Sequence, residues 1–109
     1  MKLVIAVVHD EDKDKLANAL IKENYRFTRI ASTGGFLKEG NVTFLLGIDD
    51  EDLERALEVI GATCKTREQF VTVFPAGAEP VAVPLAYPFK ITVGGAIVFV
   101  LNVERFETI

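Results

Sequence analysis

Sulfur, imidazole and indole are nearly missing from this chain: among 109 residues there is one Cys (Cys64), one His (His9), one Met and no Trp. A single cysteine excludes an intramolecular disulfide framework, and with one histidine it leaves too few soft donors for a clustered metal site. Cys64 has no histidine but His9 to serve as its base, so the pattern does not support an activated thiol. No Walker sequence and no dinucleotide-binding glycine fingerprint occurs. No stretch approaches the roughly 18 apolar residues of a membrane span. The opening run, Leu3 to Val8, is short, meets charge at once and lacks the small-residue cleavage site of a signal peptide. The net charge is −4 and the basic residues are scattered, which is not the footprint of a nucleic-acid binder. These absences predict a soluble, cytoplasmic, non-enzymatic domain over residues 1–109, with no metal and with neither nucleic acid nor membrane as a partner. Half of the residues are apolar, enough for such a chain to build a core.

What is present is organised as a repeat. Residues 2–8 are β-branched and apolar, as in a strand buried on both faces. Asp10 then stands where it can cap a helix, with Glu11, Asp12 and Asp14 in the first turn and Leu16, Ala17, Leu20 and Ile21 as its apolar stripe. Residues 25–32 read as a second strand, Thr33 to Asn41 as a loop and Val42 to Ile48 as a third strand. Asp49 repeats the capping position before Leu53, Ala56, Leu57 and Ile60 at helical spacing, and Gly61 is suited to end that helix. Asp10-Glu11-Asp12 recurs as Asp50-Glu51-Asp52. Two copies of strand, acidic turn, helix and strand predict an α+β, ferredoxin-like βαββαβ fold. Residues 66–74 add one extra strand after the second helix. The four prolines all fall within Pro75–Pro88, predicting a long loop rather than a central strand. Gly94 to Val103 closes the sheet. One face of that sheet is expected to be covered by helices and the other by neighbouring subunits.

Candidate chemistry concentrates between residues 24 and 47. Ten of the sixteen acids lie in 10–14 and 49–58, where they read as solvated first-turn residues, whereas 24–47 holds Arg26, Arg29 and Lys38 against Glu39 alone. An anion would be drawn to that segment. Thr33-Gly34-Gly35 can present successive backbone N–H groups to phosphate oxygens. Arg26 can grip a phosphate with two nitrogens or stack on a base, and Phe36 and Phe99 offer aromatic surfaces. Each feature also has an ordinary use, as a turn, a solvated strand residue or core.

The strings Asn24-Tyr25-Arg26-Phe27-Thr28, Thr33-Gly34-Gly35-Phe36-Leu37, Gly40-Asn41, Thr43-Phe44-Leu45, Gly47, Lys65-Thr66-Arg67-Glu68-Gln69, Val93-Gly94-Gly95-Ala96 and Val98-Phe99-Val100 resemble the PII-like cyclic-di-AMP receptors of bacteria along the whole chain. The resemblance implies a PII-like homotrimer with ligand sites in the clefts between subunits. It also implies a signal-transduction receptor that changes the shape of its loops and passes the signal to an unknown downstream protein. By the same likeness Asn24, Arg26, Phe27, Thr28, Gly35, Phe36, Leu37, Asn41, Gly47 and Phe99 are the expected ligand-binding residues. Asn41 can offer donor and acceptor to an adenine edge, and Gly47 leaves room for the ring. Two positions depart from the family pattern: Phe27 stands where a small residue is usual, and Thr108 where glutamine is expected. The loops at 33–41 and 75–88 are expected to respond to the ligand.

Three rival readings stand beside it. A PII-like sensor of ATP or ADP would need more basic residues around a triphosphate than Arg26, Arg29 and Lys38. A divalent-cation tolerance-type trimer would need more His, Cys or Met. A structural trimer with no ligand predicts that Arg26→Ala is silent.

Overall fold

A computed structural model of the chain describes residues 1–32, 40–73 and 87–109. The expected Thr33-Gly34-Gly35 nest, and all of the proline-rich loop before Tyr87, lie outside the described residues. The chain order is β1 (Lys2–His9), α1 (Lys13–Lys22), β2 (Phe27–Ser32), β3 (Asn41–Ile48), α2 (Leu53–Cys64), β4 (Arg67–Val73), β5 (Tyr87–Val93) and β6 (Ala96–Asn102). Four strands form one sheet in the order β2–β3–β1–β6, with every neighbouring pair antiparallel. This small α+β layout is consistent with the ferredoxin-like arrangement that the repeat predicts. β4 and β5 pair with each other as a separate two-stranded ribbon.

Alternation along the strands sorts the sheet into two faces. Val4, Ala6 and Val8 of β1 and Val42, Phe44, Leu46 and Ile48 of β3 are buried together with Leu16, Ala17 and Leu20 of α1 and Ala56, Val59, Ile60 and Cys64 of α2. Removing each large side chain of this set from water contributes about 1.5–3 kcal/mol. The intervening positions, Leu3, Ile5 and Val7 of β1, Leu45 of β3 and Ile97, Phe99 and Leu101 of β6, point away from the helices. Neither helix packs on that side, and cover there is uneven: Val7 is 8% exposed, whereas Phe99 and Leu101 are exposed.

Four local expectations are corrected. Neither Asp10 nor Asp49 caps a helix: each triplet forms a 3-10 turn (Asp10–Asp12 and Asp50–Asp52), and Asp12 and Asp52 stand at the helix N-cap positions without a side-chain cap bond. The Asp10 carboxylate instead accepts from Lys13 Nζ at 2.9 Å. Gly61 does not end α2. A Cβ there would meet nothing within 4 Å, while Thr63 and Cys64 beyond it are buried, so packing carries the helix another turn past one weak helix former. The insertion holds two strands instead of one, and Pro88 lies inside β5. A strand of a two-stranded ribbon has one unpaired edge, where proline's missing N–H costs no ladder bond. β6 begins at Ala96 because Gly94 and Gly95 take φ of +81° and +97°, a left-handed turn suited to glycine.

Candidate ligand-binding site

α1 ends in a reversal that aims the candidate residues. Asn24 has φ +61°, and its N–H donates to Ile21 O at 3.0 Å while Tyr25 N–H donates to Leu20 O at 3.0 Å. Asparagine tolerates this left-handed conformation better than most side chains, which gives Asn24 a backbone role whether or not its amide meets a ligand. The reversal delivers the chain into β2, an edge strand whose register sets Phe27 opposite Leu46 and Thr28 opposite Leu45. One step beyond that pairing, Arg26 and Gly47 line a hollow of about 200 Å³ with Asn24, Tyr25, Ile48, Asp49 and Asp52. A Cβ at position 47 would stand 3.3 Å from Met1 Cε, the far end of a flexible side chain, which would have to give by a few tenths of an ångström.

Charge in this corner is unevenly committed. Arg29 is held by Asp14 at 3.1 Å, whereas Arg26 is exposed and makes no ion pair among the described residues. Glu23, beside the reversal, is bound by Arg55 Nη2 at 2.6 Å, and this hydrogen bond holds its carboxyl below the ordinary carboxylate range. The Tyr25 phenol is pushed above its usual value, first by burial and then by the Asp52 and Glu23 carboxylates. Arg26 is thus exposed and without an ion pair among the described residues, in a hollow that the Asp49 and Asp52 carboxylates also line.

The other expected residues are spread along the sheet. Thr28 is exposed on the face away from the helices. It belongs to one cross-strand row, Thr28–Leu45–Ile5–Phe99, that runs from the β2 edge to the β6 edge. Three strand spacings separate its ends by about 14 Å. Asn41 begins β3, buried, opposite His9 and Ser32, and lies about 20 Å along the strand from Gly47. Phe27 turns to the helix side, half-buried, with its ring centroid 5.3 Å from that of Phe44 at an interplanar angle of 44°. Its side chain packs against the core from the helix side. Gly35, Phe36 and Leu37 lie outside the described residues. Thr108 is exposed in the tail after β6.

Sequence reasoning missed three features. Tyr25, Asp49 and Asp52 line the hollow, and no spacing rule joins them to Arg26. A second cavity of about 650 Å³ opens near Asn41, lined by His9–Glu11, Gly40 and Ile91–Gly94. Asp12, expected to be solvated, is 1% exposed and is held by Arg67 from the start of β4 at 2.7 Å. That partner lies 55 residues away, so only the fold joins the two. Cys64 is buried, and burial first, then the Asp12 carboxylate, pushes its thiol up to about 12, so it is not a thiolate at neutral pH. Among the described residues no group of three or more His, Cys, Asp or Glu is arranged to hold a metal ion. No helix among them is long and apolar enough to cross a membrane.

The fold is a small α+β sheet with an exposed arginine beside a hollow at its β2 edge. The chain belongs to the cyclic-di-AMP receptor family, whose model matches residues 1–109. The family is one of receptors rather than enzymes, and its ligand is cyclic-di-AMP. Among solved structures, a functionally unknown protein from Pediococcus pentosaceus is 42% identical, with a TM-score of 0.80 over 99% of this chain and 96% of that one. A DUF3240 family protein from Shewanella baltica shares the fold at 10% identity, with a TM-score of 0.61 over 99% of this chain and 94% of that one.

Proposed function

We propose that this chain is a signal-transduction receptor of the bacterial cytoplasm that binds cyclic-di-AMP in the clefts between neighbouring subunits of a PII-like homotrimer. The observation that carries the reading is the distribution of the expected ligand residues. Asn24, Arg26 and Gly47 sit at one corner of the sheet, Phe99 at the opposite edge and Asn41 at the far end of β3. A compact ligand seated against Arg26 and Gly47 is out of stacking reach of Phe99 in the same chain. It comes within reach of a neighbour's edge when sheets pack side by side around an axis. The exposed apolar positions on the face opposite the helices supply a reason for that packing, since Ile30, Phe99 and Leu101 are 48%, 42% and 45% exposed.

In this reading Arg26 and Thr28, with the main chain at 27–28 and 35–37, take the phosphates. Asn41 reads an adenine edge, Gly47 leaves room for a ring, and Phe36, Leu37 and Phe99 form apolar walls. Binding orders the 33–41 segment against the neighbour and shifts the long loop, which a downstream protein reads. The shift is bounded by the ligand's difference in affinity between the two loop states. Calorimetric titration with cyclic-di-AMP, cyclic-di-GMP and ATP, alongside the mass in solution, tests it. One cyclic-di-AMP per subunit of a trimer, with weak response to the others, is expected. Binding of ATP without cyclic-di-AMP would instead make this an adenine-nucleotide sensor.

A further inference from the structure

The β4–β5 arm leaves the body of the fold at a root held largely by one side chain. Among bonds between described residues, the side-chain links from the arm to the body all come from Arg67. Its Nη2 reaches Asp12 Oδ1 at 2.7 Å and Glu11 Oε1 at 3.3 Å, and its Nη1 reaches Asp12 Oδ2 at 3.3 Å and Lys65 O at 3.2 Å. Gly94, on the returning side of the root, leaves the passage for this guanidinium: a Cβ there would lie 2.5 Å from Arg67 Nη1 and 2.6 Å from Lys65 O. The main chain closes the same root through Gly95 N–H, which donates to Cys64 O.

Asp12 is the unusual partner, because a carboxylate 1% exposed needs a cation, and the planar fork of arginine meets both of its oxygens at once. Asp12 belongs to the 3-10 turn between β1 and α1, and in that turn Asp10 N–H donates to Gly40 O at 3.0 Å. Gly40 is directly followed by Asn41, one of the expected ligand residues. The cavity of about 650 Å³ lies between the same three parts: the turn, Gly40 and the returning strand of the arm.

We propose that Arg67 is a positioning residue that joins the arm root, the Asp10–Asp12 turn and the Gly40–Asn41 segment into one mechanical unit, so that a change at the start of β3 redirects the arm. The rigid unit goes beyond the receptor reading, and its use by the ligand rests on that reading.

Hydrogen exchange on the full chain tests it, with wild type, R67K and the double variant D12N/R67M compared. The double variant removes both charges together and leaves no orphaned buried carboxylate. Amides at 68–70 and 91–93 should exchange at least about tenfold faster in the double variant and by an intermediate amount in R67K, with β1 and β3 amides within about twofold of wild type. When cyclic-di-AMP is added, protection should spread to the arm in wild type and stop at residues 40–41 in the double variant, with affinity changed by less than about threefold. Unchanged exchange at the root, or acceleration shared equally by β1 and β3, would overturn the assignment. A protected arm in the ligand-bound double variant would do so too. If wild type fails to bind cyclic-di-AMP, the receptor reading falls, and the ligand-free comparison alone decides the role of Arg67.

Discussion

The two faces of the main sheet are built from nearly the same residue types and end in opposite environments. On the helix side Val4, Ala6, Val8, Phe44 and Leu46 are all 0% exposed, and only Val100 at the β6 edge reaches 42%; on the other, Val7 is 8% exposed, Leu3, Ile5, Leu45 and Ile97 are half-covered, and Phe99 and Leu101 are exposed. The difference is not hydrophobicity, because both faces alternate Val, Ile, Leu and Phe. The described elements supply two helices for two faces, and both helices lie on one. The apolar positions that the two helices leave exposed are covered by another surface or kept in solution at a cost. The comparison therefore separates what holds one subunit together from what would hold several.

Substitutions on the two faces should fail in different ways. The largest effect expected is loss of assembly. Phe99→Asp or Leu101→Asp puts a charge on the uncovered face and should reduce the particle to a single chain of 12.0 kDa by light scattering, with the helical signal retained. A full-size assembly carrying Phe99→Asp would remove the case for a second copy on that face. On the helix side Phe44→Ala should cost about 3–5 kcal/mol of folding stability in a denaturant titration, through lost burial and the cavity left beside Phe27. Arg26→Ala should leave both assembly and folding in place and weaken cyclic-di-AMP by about 1.5–3 kcal/mol, the range for a charge-assisted hydrogen bond. A silent Arg26→Ala would favour a trimer without a nucleotide ligand.

Asn24 permits a finer division. Asn24→Gly keeps the left-handed turn and removes the amide, whereas Asn24→Ala also strains the backbone by about 1–2 kcal/mol. Equal losses of ligand affinity in the two would assign Asn24 to the ligand; a loss confined to the alanine variant would assign it to the turn. The smallest effect concerns Glu23. Its carboxyl is held below its unfolded value by Arg55, so this pair contributes stability that is present above the unfolded carboxylate pKa and lost as pH falls through the folded one. Glu23→Gln should therefore lower the midpoint of thermal unfolding slightly at neutral pH and leave it unchanged in strong acid.

Much of the fold was legible because it rests on periodicity. The strand patterns of 2–8 and 42–48, and the Leu16–Leu20 and Ala56–Ile60 stripes, depend on neighbours two to four residues apart, and the structure keeps them. The expectations that failed were local rules that context overrode: Gly61 inside α2 through packing, Pro88 inside β5 of a two-stranded ribbon, and the acidic triplets forming turns of their own. Phe27 shows the limit at the candidate site. Its place in a matching string nominated it with Arg26 and Thr28, yet the pleat turns its side chain toward Phe44 and leaves its two neighbours exposed.

By itself the sequence determined every element but β5, the apolar stripes and the family, since each is written in residues close together along the chain. Only the tertiary structure decided which face of the sheet the two helices cover, that Arg26 has no ion pair among the described residues while Arg29 is engaged, and that Asp12 and Arg67 meet. These depend on register and on contacts across tens of residues, where a one-residue shift exchanges the buried side of a strand for the exposed one.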